Sequence, residues 1–539
     1  MYDTIVVGAG HNGLTCAAYL AKAGKDVLVL EARDTVGGLA WTLELPGAPG
    51  YKVNPCSLEF LLTGVEPSVD HELELHKHGL SWVYPKTLST WLGPNGEHLT
   101  VWKDRAKTLE EIRKFSRRDA VKYEQLVDEL TDTLMAVLPY LQGHPFRVKP
   151  GAIRDVLKNA AKGRKNIARG ARVMLSSIET VCNEYFEREE VKLPIATYSL
   201  ANFGPTHEPG SGLHLSLLTG LHQWGVRHPV GGTGAFTQSL ARCVQAHGGQ
   251  VRVNAKVREI LVENGQARGV TLENGEIIRA HNVVAAVDPT TLMTKMVDQQ
   301  YVPQQTQEEI RGLQSLRNNL YTFKIDAALD RRPVYPNHNV ADEAISQPMI
   351  CPSMDFLKRA TTAAIAGDFT HEIPLQLALP SFDDRTLVPE DSGGESFYCY
   401  AFNTPVKLSD DRDWAVEAKA YVDNCLDLCE EYAPGFKDSI IDMHITTPDD
   451  FETRYHVHKG NYEHADVVLS QMGPWRPIPS MAGYKTPVDN LYHSGSGAFP
   501  MSFISGWPGR NTANMLLRES PTQRIRKVFG RRQARTNTK

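Results

Sequence analysis

VVGAGHNGL, residues 6–14, is the stretch that decides the fold. Its glycines have the spacing GxGxxG: Gly8, Gly10 and Gly13. Where a strand turns into a helix, the first glycine permits a tight turn and the second lets the backbone approach a pyrophosphate. The third lets the helix pack closely, so that its N-terminus faces the anion. We therefore predict that this loop, which includes His11 and Asn12, binds a dinucleotide, and we expect His11 to pack in the loop.

The flanking sequence supports this prediction. Tyr2–Gly8 is apolar and predicts a strand, Leu14–Ala23 is rich in small residues and predicts a helix, and Asp26–Glu31 predicts a second strand. Together they make a βαβ unit. Glu31 ends the second strand, where a carboxylate accepts the ribose hydroxyls of the dinucleotide. An ordinary glycine turn would need neither the flanking strand and helix, nor the GxGxxG spacing, nor an acid at the position of Glu31.

EARDTVGG, residues 31–38, indicates which dinucleotide is bound. Its two glycines predict a second close approach of the backbone to the cofactor, which a simple NAD-binding domain does not need. The pattern resembles the extended fingerprint of FAD-binding proteins of the glutathione-reductase and amine-oxidase type. By that resemblance, these residues contact FAD: Glu31, Ala32, Arg33, Gly37, Gly38 and Leu39. Many members of these families have arginine where this chain has Leu39.

Segments along nearly the whole chain resemble the phytoene desaturase-related flavoproteins, especially the branch with the bacterial β-carotene ketolases and their animal relatives. They match that branch in order and spacing: GHNGL (10–14), PVGGTGAFTQSLARCVQAHGGQVRVNAKV (229–257), LYTFKID (320–326), YEHADVVLSQM (462–472) and GYKTPVDNLYHSGS (483–496). The likeness is weakest in residues 100–200. It implies an FAD-dependent oxidoreductase in which Val257 contacts the adenine through its backbone.

The resemblance implies an α/β fold, with a Rossmann-like FAD-binding domain of the three-layer ββα type and an interleaved α+β substrate domain. We expect the discontinuous FAD-binding domain to take residues 1–70, 225–300 and 485–522. We expect the substrate domain, with a helical region, to take residues 71–224 and 301–484. Residues 523–539 form a basic tail.

The hydrophobic pattern adds local detail. Helical periodicity dominates from about Leu73 to Glu190, and alternating strands and helices return from Gly225 to Val297. NNLYTFKIDAALD (318–330) predicts a strand. WAVEAKAYVDNCLDLCEEYAP (414–434) predicts a helix that ends at a proline.

NLYHSGSGAFPMSFISGWPGRN, residues 490–511, predicts a strand, a glycine turn and a helix near the end of the chain. In the family it resembles, this unit returns to the FAD-binding domain and closes over the flavin. The resemblance places Gly495 and Ser496 near the ribityl chain and pyrophosphate, and Ile504 near the isoalloxazine. Glycine turns that lie far apart in sequence would thus meet on one long cofactor.

Met501, Phe503 and Trp507 are bulky residues where the family commonly has small ones. We expect their side chains to narrow the space beside the flavin on the substrate side, which disfavours a long carotenoid substrate. The alternative is that these residues simply fill the hydrophobic core, as most buried Met, Phe and Trp side chains do.

The composition is that of a globular protein, with 41% hydrophobic and 22% charged residues. A net charge of −5 argues against a dedicated nucleic-acid binder. The eight cysteines are scattered without a CxxC pair, so we predict no disulfide framework or thiolate metal site, as suits a reducing compartment. Because the chain has no signal-peptide pattern and no apolar run of about 18 residues, we expect it to be cytoplasmic.

Other charged or titratable groups are weaker candidates. His456, His458 and His464 form a cluster that we interpret as strand and surface histidines rather than as a metal site. No nucleophile–base set stands out, so no catalytic residue and no metal ligand is assigned. Two basic stretches, Arg147–Arg172 and Arg524–Lys539, either contact anionic lipid at a membrane surface or are a solvated face and a tail.

The sequence therefore predicts an enzyme that uses FAD to remove a hydride from an apolar or amine-bearing small molecule. Flavin chemistry needs little from the protein beyond holding the reacting bond and excluding water. Reduced flavin would pass its electrons to oxygen, a quinone or another acceptor. Two alternatives stay open: a membrane-associated carotenoid desaturase or ketolase, and a non-enzymatic flavoprotein that acts as a binding or assembly partner. We expect non-covalent FAD and leave the oligomeric state open.

Overall fold

The computed structural model describes residues 1–56, 60, 64–197, 204–500 and 503–518. They form two seven-stranded sheets, two short two-stranded sheets and a set of helices. The strands are β1 (Tyr2–Val7), β2 (Val27–Leu30), β3 (Leu43–Glu44), β4 (Lys52–Val53), β5 (Trp82–Val83), β6 (Thr87–Leu92), β7 (His98–Trp102), β8 (His228–Pro229), β9 (Gln250–Arg252), β10 (Val257–Glu263), β11 (Gln266–Leu272), β12 (Ile277–Ala285), β13 (Leu320–Leu329), β14 (Pro348–Ile350), β15 (Leu375–Ala378), β16 (Glu395–Pro405), β17 (Ile440–Thr446) and β18 (Leu491–His493).

The helices complete the element order. They are α1 (His11–Lys22), α2 (Val69–Glu72), α3 (Arg105–Arg113), α4 (Arg117–Leu141), α5 (Pro150–Lys162), α6 (Arg164–Leu175), α7 (Ile178–Tyr185), α8 (Glu189–Ala196), α9 (Ser216–Trp224), α10 (Gly234–Ala246), α11 (Pro289–Thr291), α12 (Gln304–Arg311), α13 (Met354–Ile365), α14 (Pro380–Asp383), α15 (Trp414–Tyr432), α16 (Pro448–Thr453) and α17 (Trp507–Leu516).

The first sheet is centred on β1. Its parallel strands run in the order β18-β12-β1-β2-β9, and β10 and β11 form an antiparallel hairpin that pairs with the first half of β12. Successive side chains of a strand point to opposite faces. Val6 and Val29 therefore pack against α1 and α10, whereas Ile5 and Leu28 pack against β10 and β11. Helices, parallel sheet and antiparallel strands are the three layers of the predicted Rossmann-like ββα fold, which is confirmed.

The second sheet has the order β17-β13-β16-β15-β14-β6-β7, and its neighbours are antiparallel except β14 and β6. β13 is buried along its whole length, and α15 packs against this sheet through Tyr421 and Cys425. The strand predicted at 318–330 and the helix predicted at 414–434 are both confirmed.

The prediction that helical periodicity dominates from Leu73 is wrong for residues 82–102, which form β5, β6 and β7. Every residue of β6 is buried, so the strand shows no alternation of apolar and polar residues. The sequence Pro94-Asn95-Gly96 between β6 and β7 is typical of a hairpin turn and could have indicated these strands. Gly96 has a φ of +88° in the structure. The helical region, α3 to α9, begins only at Arg105.

The strands of each large sheet come from one predicted domain. All strands of the first sheet lie within residues 1–70, 225–300 and 485–522, and all strands of the second lie within 71–224 and 301–484. The domain limits themselves stay a prediction. In the described part of the chain, no helix combines the length and the apolar character that crossing a bilayer requires. The eight cysteines are buried free thiols.

Candidate functional site

A cavity of about 380 Å³ opens where the parallel strands of the first sheet end. Its wall includes residues that come just after those strands: Gly8 after β1, Glu31 after β2, Ala286 after β12 and Gly495 near the end of β18. Ligands of open α/β sheets bind outside the carboxyl ends of the strands. The topology of the sheet thus brings the two ends of the chain to one site.

The glycine loop is tightly packed on one side and open on the other. A Cβ on Gly13 would lie 2.1 Å from the carbonyl oxygen of Gly8, so only glycine lets α1 come this close to β1. Gly38 lies against the same loop, because a Cβ there would lie 3.1 Å from Gly10 Cα. A Cβ on Gly10 would meet no atom within 4 Å, and Gly10 lines the cavity. The loop therefore offers bare backbone to a ligand.

The N-terminus of α1 is directed at this cavity. Its N-cap residue is Gly10, and no side chain caps the helix. The helix begins at His11, three residues before the predicted start at Leu14, so that His11, Asn12 and Gly13 form its first turn and line the cavity. Unpaired N–H groups and the helix dipole both attract phosphate groups at such a position.

Glu31 is fixed at the end of β2 by the backbone. Its side chain is buried, and its two oxygens accept hydrogen bonds from Ala9 N–H at 2.8 Å and Arg33 N–H at 3.0 Å. A carboxylate has about four acceptor positions. The remaining positions are available to hydroxyl groups in the cavity, whose wall Glu31 forms.

Arg33 holds the second glycine segment in place. Its Nη1 donates to the Gly38 carbonyl oxygen at 3.0 Å, and its guanidinium lies over the rings of Trp41 and Tyr455, 4.4 and 5.2 Å from their centroids. Arg33 lines the cavity, as do the predicted residues Ala32 and Leu39.

One end of the cavity is bounded by the start of β10. Val257 lies there with Ala255, Lys256 and Arg258. The Ala255 N–H donates to the Glu31 carbonyl oxygen at 2.8 Å, so this segment is held beside the end of β2. The two predicted adenosine contacts, Glu31 and Val257, are therefore neighbours in space.

The C-terminal turn also contributes to the wall. Gly495 and Ser496 line the cavity, and a Cβ on Gly495 would lie 2.7 Å from the Val287 carbonyl oxygen. Two predicted cofactor-binding residues do not line it. Gly37 lies behind the loop, where its N–H donates to the Ala9 carbonyl oxygen at 2.9 Å, and Ile504 packs against the core that includes α1.

Several buried polar atoms of the wall have no hydrogen-bond partner among the described residues: His11 Nε2, Asn12 Oδ1, Asp288 Oδ2 and His464 Nδ1. Leaving such atoms unpaired is costly, so their presence points to a ligand with several polar groups. Burial lowers the pKa of His11 to about 4 and that of His464 to about 3, so both rings are neutral at pH 7. The site thus combines an exposed loop backbone, the uncapped N-terminus of α1, the Glu31 carboxylate and several unpaired polar atoms. This combination fits a dinucleotide.

Some residues of the wall were missed by the sequence analysis. Asp288, Thr291 and Lys295 follow β12, and Tyr455 and His456 come from a distant turn. The position of Asp288 shortly after a buried parallel strand could have indicated, from the sequence, that it lies at the ligand site. Nothing in the local sequence of Tyr455 indicated that it would reach the first domain.

The interpretation of His456, His458 and His464 as strand and surface histidines is correct for the surface position of His456, which is exposed, and wrong about strands, because none of the three lies in one. They lie in turns and in a short 3-10 helix, and His464 is half-buried and lines the cavity. His456 and His464 both have positive φ, near 57° and 63°, which strands do not have.

The substrate-side candidates have different positions. Met501 lies outside the described residues. Phe503 has a positive φ, and its backbone forms a hydrogen bond with the His11 ring. Trp507 begins α17, is 2% exposed and lies in the hydrophobic cluster that contains Leu14, Val69 and Leu138. The role of these residues beside the substrate stays a prediction.

The cavity meets the second sheet at Leu39 and Tyr455. Both side chains line the cavity and also pack in a cluster with Cys56, Tyr321 and Tyr462. Burial raises the pKa of Tyr455, so its hydroxyl stays protonated at neutral pH. This part of the cavity wall is aromatic, and the Arg33 guanidinium, 5.2 Å from the Tyr455 ring centroid, lies between it and Glu31.

A buried ion pair lies on the second sheet near this part of the wall. Lys324, fully buried on β13, donates to Asp326 Oδ1 at 2.6 Å and to the backbone oxygen of Asn54. Its ammonium lies 4.7 and 5.2 Å from the ring centroids of Tyr398 and Tyr400. Burial raises the pKa of Asp326 to about 6, although Lys324 opposes that shift. The pair is thus a charged group held among aromatic rings.

Comparisons with known proteins agree with this geometry. Residues 100–347 match the family described as flavin containing amine oxidoreductase, and residues 6–69 match the NAD(P)-binding Rossmann-like domain. A rat protein, pyridine nucleotide-disulfide oxidoreductase domain-containing protein 2, is 30% identical, over 96% of this chain and 94% of its own length. The chain belongs to the phytoene desaturase-related family of flavin-containing amine oxidoreductases. It is an FAD-dependent oxidoreductase, so the non-enzymatic alternative is set aside.

Two bacterial relatives cover the chain to a similar extent. A limonene dehydrogenase subunit of Castellaniella defragrans is 27% identical, over 96% of this chain and 94% of its own. The lycopene-forming phytoene desaturase of Pseudescherichia vulneris is 26% identical, over 94% of this chain and 96% of its own.

Solved structures share the fold. An oxidoreductase from Methanosarcina mazei has a TM-score of 0.62 at 16% identity, over 95% of this chain and 99% of its own. Cyclohexylamine oxidase from Brevibacterium oxydans has a TM-score of 0.57 at 18% identity, over 96% of this chain and all of its own. At these identities the likeness concerns the fold alone.

Proposed function

We propose that this enzyme binds FAD along the cavity and removes a hydride from an apolar or amine-bearing small molecule, which leaves a C=C or C=N bond. One observation carries the proposal. A single cavity is lined by the polar pair Glu31 and Val257, by the open N-terminus of α1, and by Leu39 and Tyr455, where it meets the second sheet. When bound, FAD supplies the hydride acceptor. Oxygen, a quinone or another acceptor takes up the electrons afterwards.

Different residues of the cavity bind different parts of the cofactor. Glu31 accepts the ribose hydroxyls, and the backbone around Val257 contacts the adenine. The first turn of α1, with Gly10 and Asn12, holds the pyrophosphate. Gly38, Gly495 and Ser496 hold the middle of the cofactor and carry it towards Leu39.

The aromatic part of the cavity favours hydride removal from a neutral substrate. Tyr455 stays protonated and His464 stays neutral at pH 7, and Lys324 and Asp326 are paired with each other. None of these groups is an unpaired anion that would take a proton from the substrate. Packed aromatic side chains also exclude water, which protects the reduced cofactor from side reactions.

The names of the relatives support both parts of the substrate class. Limonene and phytoene are hydrocarbons, and cyclohexylamine is an apolar amine. The alternative is a carotenoid desaturase or ketolase at a membrane surface, which the likeness to the phytoene desaturase of Pseudescherichia vulneris favours.

An anaerobic screen tests the proposal. The purified yellow protein would be mixed with cyclic and linear amines, monoterpenes and carotenoids without oxygen, and flavin bleaching followed near 450 nm. We expect bleaching by a compact amine or hydrocarbon. Bleaching by carotenoids alone would favour the alternative, and no bleaching by any of these classes would contradict the proposal. Buffer that contains each solvent vehicle alone is the control.

We also propose that the protein contacts anionic membrane surfaces through α5. Leu157 and Ile153 are 63% and 49% exposed on this helix, and Phe146, just before it, is 61% exposed. Arg154 and Lys158 are exposed beside them. Apolar side chains flanked by Lys and Arg are typical of helices that lie in the headgroup region of a bilayer.

Vesicle flotation tests this contact. We expect wild-type protein to float with vesicles that contain phosphatidylserine, and to stay in solution with phosphatidylcholine alone. Ile153→Glu with Leu157→Glu should abolish flotation. Val416→Glu, on the exposed face of α15 where the side chain is 75% exposed, is the matched control and should float normally. Equal flotation of both variants would contradict the proposed surface.

A further inference from the structure

A cluster of metal-ligand residues lies on the first domain, on the helix α10, whose other end packs against Gly37. Cys243 and His247 are one helical turn apart at the C-terminal end of α10. His78 ends a short 3-10 helix, Leu75–His78, that packs against this turn. One ligand atom from each residue lies within 4.8 Å of the other two, and in the described part of the chain no other His, Cys, Asp and Glu side chains form such a group.

The spacing is close to that of a metal site. In a tetrahedral zinc site, bonds of about 2.3 Å to sulfur and about 2.0–2.1 Å to nitrogen separate the two ligand atoms by roughly 3.6 Å. Cys243 Sγ already lies 3.8 Å from His247 Nδ1. His78 and His247, whose ring centroids are 6.2 Å apart, need to approach by about 1 Å, which rotation of partly exposed side chains allows.

The surroundings favour a cation. His247 is the C-cap of α10 and Gly79 is the C-cap of the 3-10 helix, so two helix C-termini with their partial negative charge meet here. Two cations also lie nearby, of which Lys22 is paired with a carboxylate and Arg242 is bound to a backbone carbonyl. Lys22 lies 3.8 Å from Glu74, and Arg242 Nε donates to the His78 carbonyl oxygen at 2.7 Å.

The chemistry of the set indicates the class of ion. One thiolate and two neutral imidazoles suit Zn²⁺ and related borderline ions rather than Mg²⁺ or Ca²⁺, which take oxygen ligands. Cys243 is buried, while His247 is exposed, so a water molecule can occupy a fourth position. His247 Nδ1 also lies 2.9 Å from the Cys243 carbonyl oxygen, and metal binding at that nitrogen replaces this hydrogen bond.

We propose that His78, Cys243 and His247 bind one Zn²⁺ ion that clips α10 to the segment before β5. On binding, the Cys243 thiol loses its proton to solvent and its sulfur bonds to the metal, so no electron transfer is involved. The ion lies about 17 Å along α10 from Gly234, the end of the helix nearest the glycine pair. Its role is to stabilise the first domain, and it takes no part in the hydride transfer.

The pH dependence follows from the thiol. A cysteine binds zinc as the thiolate, so the Cys243 thiol must give up its proton on binding. Metal binding must displace this proton, and the affinity therefore rises with pH.

Zinc titration of the holoenzyme tests the proposal. After chelator treatment, we expect one equivalent of Zn²⁺ to bind and to raise the melting temperature. X-ray absorption at the zinc edge, which the flavin does not disturb, should show one sulfur at about 2.3 Å and nitrogen at about 2.0–2.1 Å. Cys243→Ser and His247→Gln should each weaken binding at least tenfold and remove the thermal shift.

His76→Gln is the matched control, because His76 is exposed on the same 3-10 helix and is not part of the cluster. It should bind Zn²⁺ within twofold of wild type. If Cys243→Ser does not fold, His247→Gln carries the same test from an exposed position. Failure of the wild type to bind one equivalent at micromolar Zn²⁺, or a bound ion without a sulfur ligand, would overturn the proposal.

Discussion

The backbone N–H of Ala9 donates a 2.8 Å hydrogen bond to Glu31 Oε2, which ties the glycine loop to the end of the neighbouring strand. The carboxylate therefore has two functions. It holds the loop from within the protein, and its remaining acceptor positions face the cavity. The Glu31 side chain therefore couples the geometry of the glycine loop to recognition of the ribose.

Gly10→Val should abolish FAD binding. A Cβ at Gly10 meets no protein atom within 4 Å, so the variant has room to fold, but its side chain occupies space at the wall of the cavity. The ratio of absorbance at 450 to 280 nm in the purified protein measures the bound FAD. Gly393→Val is the control, since Gly393 is exposed and its Cβ is equally free of contacts. A fully yellow Gly10→Val protein would mean that the cofactor lies elsewhere.

Glu31→Gln should weaken FAD binding and leave turnover at saturating FAD unchanged. Hydrogen bonds to a charged group contribute about 1.5–3 kcal/mol, which corresponds to a rise in Kd of roughly 10- to 150-fold. Gln keeps one acceptor for Ala9, so the loop is retained. Fluorescence titration of the apoprotein gives the Kd. A large fall in kcat at saturating FAD would show that Glu31 acts near the reacting atoms instead.

FAD should be bound non-covalently. Among the described residues, the cavity wall has no cysteine, and its histidines, His11, His456 and His464, do not match a known covalent flavin site. Acid precipitation should release the yellow colour to the supernatant. Colour that stays with the pellet after washing would contradict this prediction, and free FAD added to an unrelated protein serves as the control.

The sequence predicted the polar half of the site much better than the aromatic half. The glycine loop, Glu31 and Val257 belong to local patterns in which each residue has a fixed distance from a strand or helix, so they were accessible without coordinates. Tyr455 and Lys324 reach the cavity region only because the second sheet packs against the first domain. No local pattern encodes that packing. The β6–β7 hairpin was missed for a related reason, since burial on both faces removes the alternation that identifies a strand.

Stability should fall as the pH drops below about 6.5. Both ring nitrogens of His228 are buried without a hydrogen-bond partner among the described residues, and burial lowers its pKa to about 3. In the unfolded chain the pKa of histidine is about 6.5, so between these values the unfolded state binds a proton that the folded state does not. The contribution of His228 is therefore complete above pH 6.5 and is lost progressively towards pH 3.

Melting curves between pH 7.5 and 4 measure this effect. His228→Leu should flatten the dependence of melting temperature on pH, because the group that titrates is removed. His281→Leu, at an exposed position of β12, is the control and should keep the wild-type slope. An unchanged slope in His228→Leu would show that other groups dominate the acid sensitivity.

Trp507→Ala separates the two roles considered for the bulky C-terminal residues. Trp507 is 2% exposed and packs with Leu14, Val69 and Leu138 in the core beside α1. We therefore expect the variant to lose about 3–5 kcal/mol of unfolding free energy, since removing a buried indole leaves a cavity. The KM of the native substrate should stay within twofold of wild type in the fraction that folds. Thermal melts and steady-state kinetics on the same preparation provide both measurements. A raised KM with a melting temperature near that of wild type would instead place the indole beside the substrate, where its removal admits larger ligands.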